Sequence, residues 1–453
     1  MGYPDDTAIN LALKIITTKI KRGDKSRTKD LLKQILFRPS GWLEDPHWKE
    51  LAHYLKTTEL KKQKSKKTSP KAPTEYVVYG VENIDPAAMQ QMEVAMKMPV
   101  SIKGALMADA HVGYGLPIGG VVATYNAVMP YGVGMDIGCR MCMSVYPMDD
   151  SFVVAQKNLI KKTLTEETRF GHAEFKDIGD HPLMERRELS EIKFLRSLKD
   201  KFYNQLGTSG HGNHFVDAGY IEVFSEQNEM GVAPGRYFAV LSHSGSRNFG
   251  AEVARHYTRI AKQKLNFQGE AAKLAWLDMD SEEGQEYWLA MNLAGDYSAA
   301  NHHIFHRKIS AAIGEKPLKM IENHHNFAWK EKLSETESII VHRKGATPAH
   351  AGVIGIIPGS MASPAYIVKG KGNAESLHSA AHGAGRVISR RQAKRKLTPE
   401  SLHNHLDRAG VELIGGGLDE SPEVYKNIDA VMAAQKDLVD VLAKFYPKIV
   451  RME

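Results

Sequence analysis

SAAHGAGR, Ser379–Arg386, is the stretch on which the reading of this 453-residue chain turns. One histidine, His382, sits among small residues and is followed by Gly383, Gly385 and Arg386. Glycine lacks Cβ, so its backbone takes positive φ readily and lets a ligand or another segment come close. Arg386 offers a planar fork that matches phosphate oxygens. A neutral imidazole in that setting is a competent nucleophile near pH 7, and a phosphoryl- or nucleotidyl-histidine is a sensible covalent intermediate. The same residues also describe a buried histidine beside a closely packed helix.

Four other stretches supply ligand chemistry: GMDIGCRM (134–141), GNHFVD (212–217), LSHSGSR (241–247) and NHHNFAWKE (323–331). Together they offer Asp136, Cys139, Asn213, His214, His243 and His325, a set whose carboxylate, thiol and imidazoles point to a metal centre. Asp136 and Cys139 are three apart, so on a tight turn both can reach one ion, and a thiolate can bridge two. His324 competes with His325, and spacing does not choose between them. His302, His303 and His306 in NHHIFHRK have ligand-like spacing without a carboxylate or glycine beside them, and read as helix surface and core. VHRKGAT contributes Arg343 and Lys344, and PGSM contributes Ser360, each either a phosphate or ribose contact or a polar turn.

Cys139 and Cys142 are the only cysteines, which excludes a disulfide framework and leaves one CxxC, too few for a zinc ribbon. Cys139 is the expected ligand and Cys142, in MCMSVY, a core residue. The formal charge of +7 is compatible with a polyanionic partner. No stretch approaches the roughly 18 consecutive apolar residues of a membrane span. The N-terminal stretch lacks the features of a secretory signal, so the expected location is cytoplasmic.

Residues 1–72 read as a helical extension: TAINLALKIITTKI, TKDLLKQILF and PHWKELAHYL, then a basic linker with Lys61, Lys62, Lys64, Lys66 and Lys67 ahead of Pro70. Residues 73–453 mix β-like runs (IKGALMADA, GGVVATY, CMSVYP, FAVLSHS, SIIVHRK, AYIVKG) with helical ones (FGAEVARHYTRIAKQKL, NHHIFHRKISAAI, PEVYKNIDAVMAAQKDLVDVLAKFY). This spacing predicts an α+β fold with mixed sheets, or an irregular α/β one, and neither a barrel nor a doubly wound sheet.

In order along the chain, DAHVGYGLPIGG, GMDIGCRM, GNHF, HSGSR, HN, VHRKGAT, PGSM, HGAGR and YKNID resemble the RtcB family of RNA ligases from about residue 100 onward. Residues 1 to about 72 have no counterpart in that pattern. The resemblance implies an enzyme that joins RNA 2′,3′-cyclic phosphate or 3′-phosphate ends to 5′-hydroxyl ends, with GTP and two Mn²⁺ ions in a dinuclear cleft. It implies that His382 is the nucleophile, and that Asp136, Cys139, His214, His243 and His325 hold the metal with Cys139 bridging. Asn213, Phe215, Asp217, Lys344, Ser360, Arg386 and Tyr425 would bind the nucleotide, and Asp109 and His111 would lie near the RNA ends. An activator of the archease kind is a further implied partner.

The chain departs from the pattern at Asp217, a glutamate in the family, and at Glu453, where the family closes on a lysine-glycine pair. An acceptor in place of a donor to guanine O6 sets ATP beside GTP as an expected nucleotide. Arg140, Pro348 and Ala365 also depart. The rival readings are an end-healing phosphoesterase that does not ligate and a non-catalytic RNA-binding protein.

Overall fold

A computed structural model describes residues 6–19, 25–57, 74–175, 178–226, 228–332 and 337–453. The chain divides into two compact units, Met1–Lys71 and Ala72–Glu453. In the first, helices Asp6–Lys19 and Lys25–Phe37 and a helix at 49–57 bury Ala8, Ala12, Ile15, Leu32, Ile35, Leu51 and Leu55 around Trp48. The three- and four-residue spacing of those positions is what makes each segment an amphipathic helix. The basic run from Lys61 to Lys67, and Pro70, lie outside the described residues.

The strands of the second unit are β1 (Tyr76–Val78), β2 (Ser101–His111), β3 (Ile118–Thr124), β4 (Ala127–Val128), β5 (Arg140–Val145), β6 (Phe215–Val223), β7 (Gly235–Ser244), β8 (Leu277–Asp278) and β9 (Lys319–His324). They continue as β10 (Asn326–Lys332), β11 (Ser338–Lys344), β12 (Ala346–Pro348), β13 (Ile354–Ile357), β14 (Ala365–Gly370), β15 (Ser379–Ala381), β16 (Glu412–Ile414) and β17 (Val439–Arg451). One sheet runs β1-β2-β3-β11-β10, antiparallel except where β1 joins β2. The larger runs β13-β14-β17-β6-β7-β5-β9, antiparallel, with β16 parallel to β17. Short pairs β4-β8 and β12-β15 complete the set.

Side chains alternate across the larger sheet. Met141, Met143 and Val145 of β5 pack with Ile221, Leu241, Ile367 and Phe445 on one face. Val216, Ala218, Phe238 and Val240 meet Phe305 and Ile309 on the other. The last two belong to helix Glu282–Ile313, which Ser281 caps by accepting from Gly284 N (3.1 Å) and which ends at Gly314 in left-handed conformation. Each large side chain so buried contributes roughly 1.5–3 kcal/mol.

Asn323 of β9 accepts from Ile356 N of β13 (2.9 Å) and donates to Thr347 Oγ1 (2.7 Å). The two ends of the sheet path are thereby pinned, and the sheet nearly closes on itself, closer to a barrel than the spacing of its elements predicts. β5 is buried at every position, so it shows no polar alternation, and its neighbours come from distant parts of the chain. A second departure is PEVYKNIDAVMAAQKDLVDVLAKFY, expected to be helical. Only Pro422–Val424 and Ile428–Ala433 are helical, and from Val439 the chain is β17, an interior strand between β14 and β6. Pairing on both edges outweighs local helical preference there, and Pro447 sits at an irregularity of the β17–β6 register.

Gly385 has φ +74, and a Cβ there would collide with the Asp109 carbonyl. Gly314 has φ +80 with open space around it. Gly314→Ala is expected to cost about 1–2 kcal/mol from left-handed strain alone, and Gly385→Ala about 3 kcal/mol or more once the collision is added. Denaturant midpoints of the two variants measure the difference.

Candidate metal centre and active site

The segment before β5 bends at Gly134 (φ +111) and Gly138 (φ +70) and carries Asp136 and Cys139 into the mouth of the rolled sheet. Gly138 packs so closely on Gly295 of the long helix that a Cβ would lie 2.9 Å from Gly295 Cα. β7 delivers His243, the turn before β6 delivers His214, and the β9–β10 junction delivers His325.

These side chains meet. Cys139 Sγ lies 3.1 Å from His243 Nε2 and 3.7 Å from His214 Nε2. His214 Nε2 is 2.9 Å from Asp136 Oδ2, and His243 Nε2 is 3.2 Å from His325 Nε2. His243 Nδ1 donates to the Asn213 carbonyl (2.9 Å), which leaves its Nε2 bare and turned to the sulfur. Asp136 Oδ1 accepts from Ser246 N (3.2 Å), and Gly245 is what lets the carboxylate in, since a Cβ there would overlap it.

Burial sets the charge states. Burial and the neighbouring His214 hold His243 down at about 3. Burial first, then His382 and His243, holds His325 well below its ordinary value, so both rings are neutral with lone pairs to offer. Burial alone would raise Asp136, but its hydrogen bonds to His214 and Cys139 win and lower it. Burial, then Asp136, pushes the Cys139 thiol well up. The ligand atoms of Cys139, His214 and His243 lie within 4.8 Å of one another. Two bare imidazole nitrogens, a thiol and a carboxylate gathered in one buried place fit a divalent cation, which would also lower the thiol's pKa.

His382 follows β15 at the edge of this cluster, its ring centroid 4.8 Å from that of His325. Its Nδ1 is 2.6 Å from Oδ2 of the fully buried Asp109, which also accepts from His382 N (3.2 Å). A carboxylate can only accept, so the proton is on Nδ1 and Nε2 is the free lone pair. Asp109 thus lies directly under His382 as its orienting partner. Only the fold brings β2 and β15 to one place, so no local signal marked this role. His111 lines the cavity and is held at about 4, chiefly by burial.

A cavity of about 680 Å³ opens over these groups, within the roughly 300–1,000 Å³ of small-molecule sites. Asp136, Cys139, Asn213, Phe215, Asp217, His243, His325, Lys344, Ser360, His382, Arg386 and Tyr425 all line it, and His214 stands behind Asp136 and Cys139. His324 is stacked on Trp329 (5.1 Å between centroids), whereas His325 lines the cavity beside His243. Asp217 is buried with Oδ1 unpartnered, and burial raises its pKa well up. The Arg386 fork donates to the Asp419 carbonyl (2.7 Å) and lies 3.4 Å from Glu420, which hold it in place at the cavity wall. Glu420 also accepts from the Tyr425 hydroxyl. The Glu453 carboxylate pairs with His211 (2.5 Å), both half-exposed, and the neighbouring Met452 lines the cavity.

Asn326 braces the site, a role its residue type alone does not mark. Its side chain accepts from Gly345 N (2.7 Å) and donates to the Asp136 carbonyl (3.2 Å), and its carbonyl accepts from Gly138 N (2.7 Å). Its place directly after His325 was the available signal.

Fold and site define a mixed α/β protein whose rolled sheet carries a buried thiol-imidazole centre at the mouth of a large cavity. The family model described as tRNA-splicing ligase RtcB matches residues 90–193 and 186–453. The RNA-splicing ligase RtcB of Escherichia coli (strain K12) is 32% identical over 409 residues, covering 83% of this chain and 96% of the relative. The RNA-splicing ligase RtcB of Mycobacterium tuberculosis is 30% identical over 79% of this chain and 99% of its own length. The tRNA-splicing ligase RtcB of Archaeoglobus fulgidus is 30% identical over 79% and 87%. The chain belongs to the RtcB family.

Two outcomes follow from the geometry. His325→Ala lowers metal content at saturation, measured by elemental analysis after dialysis, whereas His324→Ala leaves it unchanged. Lys344, whose Nζ reaches the carbonyls of Tyr114 (2.5 Å) and Tyr131 (3.3 Å), is lowered by burial to about 7. It therefore loses its charge as pH rises through about 7. Titration calorimetry should show triphosphate binding weakening by up to about tenfold per pH unit above that point, with the dependence abolished in Lys344→Met.

Proposed function

We propose that this chain seals RNA 2′,3′-cyclic phosphate or 3′-phosphate ends to 5′-hydroxyl ends in RNA repair or tRNA splicing, by way of a nucleotidyl-histidine at His382. As a member of its family it is an RNA ligase. The observation that carries the mechanism is the Asp109–His382 pair: a buried carboxylate fixes the proton on Nδ1 and leaves Nε2 as the nucleophile. In the proposed sequence Nε2 attacks the α-phosphorus of GTP and pyrophosphate leaves. The nucleotidyl group passes to the RNA 3′-phosphate, a cyclic end having first been hydrolysed. The 5′-hydroxyl then attacks that activated phosphate and GMP leaves.

The metal reading is part of the proposal. Asp136, His214 and Cys139 form one group of contacts, and Cys139, His243 and His325 another, so these five residues would hold the metal, with Cys139 common to both groups. When bound, such ions offset charge on phosphoryl oxygens. Mn²⁺ is named from the family, because imidazole and thiolate alone favour Zn²⁺. Lys344, the Asn213 amide and Ser360 would hold phosphate and ribose, Arg386 would position Tyr425 beside the base, and Phe215 and Asp217 would flank it. We assign residues 73–453 as the catalytic domain and 1–72 as an appended helical module. The proposal includes cytoplasmic action and an activator of the archease kind. No helix among the described residues is long and apolar enough to cross a membrane.

Incubation with Mn²⁺ and α-labelled GTP or ATP tests the reading. Acid-labile label on the protein is expected from GTP, absent in His382→Ala. In Asp109→Asn, whose metal content should be unchanged, the labelling rate is expected to fall by roughly 10²–10⁴. Metal-loaded protein that takes no label from either nucleotide, yet processes RNA ends, would identify an end-healing phosphoesterase instead.

A further inference from the structure

A second group of ligand side chains converges in the core, on the opposite face of the same strands. Cys142, His302 and His306 are fully buried, and one ligand atom of each lies within 4.8 Å of the others. Cys142 of β5 pairs directly with Ser242 of β7, and both face helix Glu282–Ile313, which carries His302 and His306 one turn apart. The neighbouring pair, Met141 and His243, faces the other way, toward the first centre.

The hydrogen bonds around the imidazoles have the form found around metal-bound histidines. His302 Nε2 is 3.3 Å from the Ser244 carbonyl, which only accepts, so Nε2 carries the proton and Nδ1 is bare. That bare Nδ1 lies 2.7 Å from Ser242 Oγ, and His306 Nε2 lies 2.7 Å from the same oxygen. Ser144 Oγ, 2.8 Å away, anchors the other ring nitrogen of His306. Each ring thus has one nitrogen tied to an outlying oxygen and the other on the Ser242 hydroxyl, which also lies 3.2 Å from the Cys142 carbonyl, so a cation would enter by taking over the two Ser242 contacts. Glu322, the carboxylate opposite Cys142 on β9, is held by Arg140 (3.0 Å) and His303 (3.1 Å). A donor set of one thiol and two imidazoles without a carboxylate selects a borderline-soft cation over Mg²⁺, Ca²⁺ or Mn²⁺.

We propose that Cys142, His302 and His306 form a second, closed cation site for a zinc-type ion, with the Ser242 hydroxyl as the adjacent fourth donor. Binding releases the Cys142 thiol proton to solvent and forms the sulfur–metal bond. The ion ties helix Glu282–Ile313 to β5 and β7, the strands that position Cys139 and His243. The histidines read from spacing as helix core thus have a chemical task. The site stands independently of the ligase reading.

The full chain, stripped of metal and reloaded with Co²⁺, reports thiolate ligation as a near-ultraviolet charge-transfer band. The Cys139→Ser protein, with the thiol of the first centre removed, should keep that band and retain one equivalent of Zn²⁺ after dialysis. Cys142→Ser and His306→Gln should each retain one equivalent fewer than the unmutated protein. Should those two variants fail to fold, Cys139→Ser and the unmutated protein decide, the latter expected to show the more intense band. A Cys139→Ser protein that is folded but shows no thiolate band and retains no zinc would overturn the proposal, leaving a hydrogen-bonded ring of Ser144, Ser242, His302 and His306.

Discussion

The contact of Cys139 Sγ with His243 Nε2 depends on the register of β5 against β7, in which Met141 stands opposite His243 and Arg140 opposite Ser244. A one-residue slip of β7 would turn His243 toward the long helix and bring Ser242 to the cavity, emptying both polar clusters of their histidine or serine partners. The register is held by burial on both faces: Met141, Met143 and Leu241 inside the roll, Val240 and Phe238 against the helix. The same apolar packing that stabilises the sheet therefore places the chemistry.

Around that register the backbone comes unusually close to itself. Gly138 lies on Gly295, Gly245 makes room for the Asp136 carboxylate, and Gly385 sits on the Asp109 carbonyl. Each approach excludes water from a group that must then be satisfied by protein, because a buried polar group without a partner costs about 1–3 kcal/mol. Asn326, the Asn213 carbonyl and Ser246 N supply those partners, and they brace the ligands at the same time. Rigidity and desolvation at the site have one cause.

The cavity's charge pattern suits a phosphorylated ligand. Arg386 is balanced by Glu420, and Asp217 is pushed toward its neutral form by burial. The Nζ of Lys344 reaches the backbone carbonyls of Tyr114 and Tyr131. Its buried amine, pulled down to about 7 by burial, gains most from an incoming anion, which would restore its full charge.

Much of the site was legible in the sequence because chemistry-bearing residues are marked by type and by the glycines beside them. His382, Asp136, Cys139, His214, His243 and His325 all stand in such short stretches, and the structure brings them together. The helices of residues 6–57 and the strands β2, β3, β5, β7, β11 and β14 were legible from apolar runs and spacing. Not legible were β17, read as helix because interior pairing leaves no local trace, and the near-closure of the larger sheet, which depends on which distant strands pair. Asp109 beneath His382 and Glu453 paired with His211 were equally hidden, since each is a relation between segments far apart in the chain. The sequence by itself determined which functional groups are present and which local backbone they stand on. The tertiary structure alone decided which of them meet, because only packing of both sheet faces sets strand register, and register sets where each side chain points.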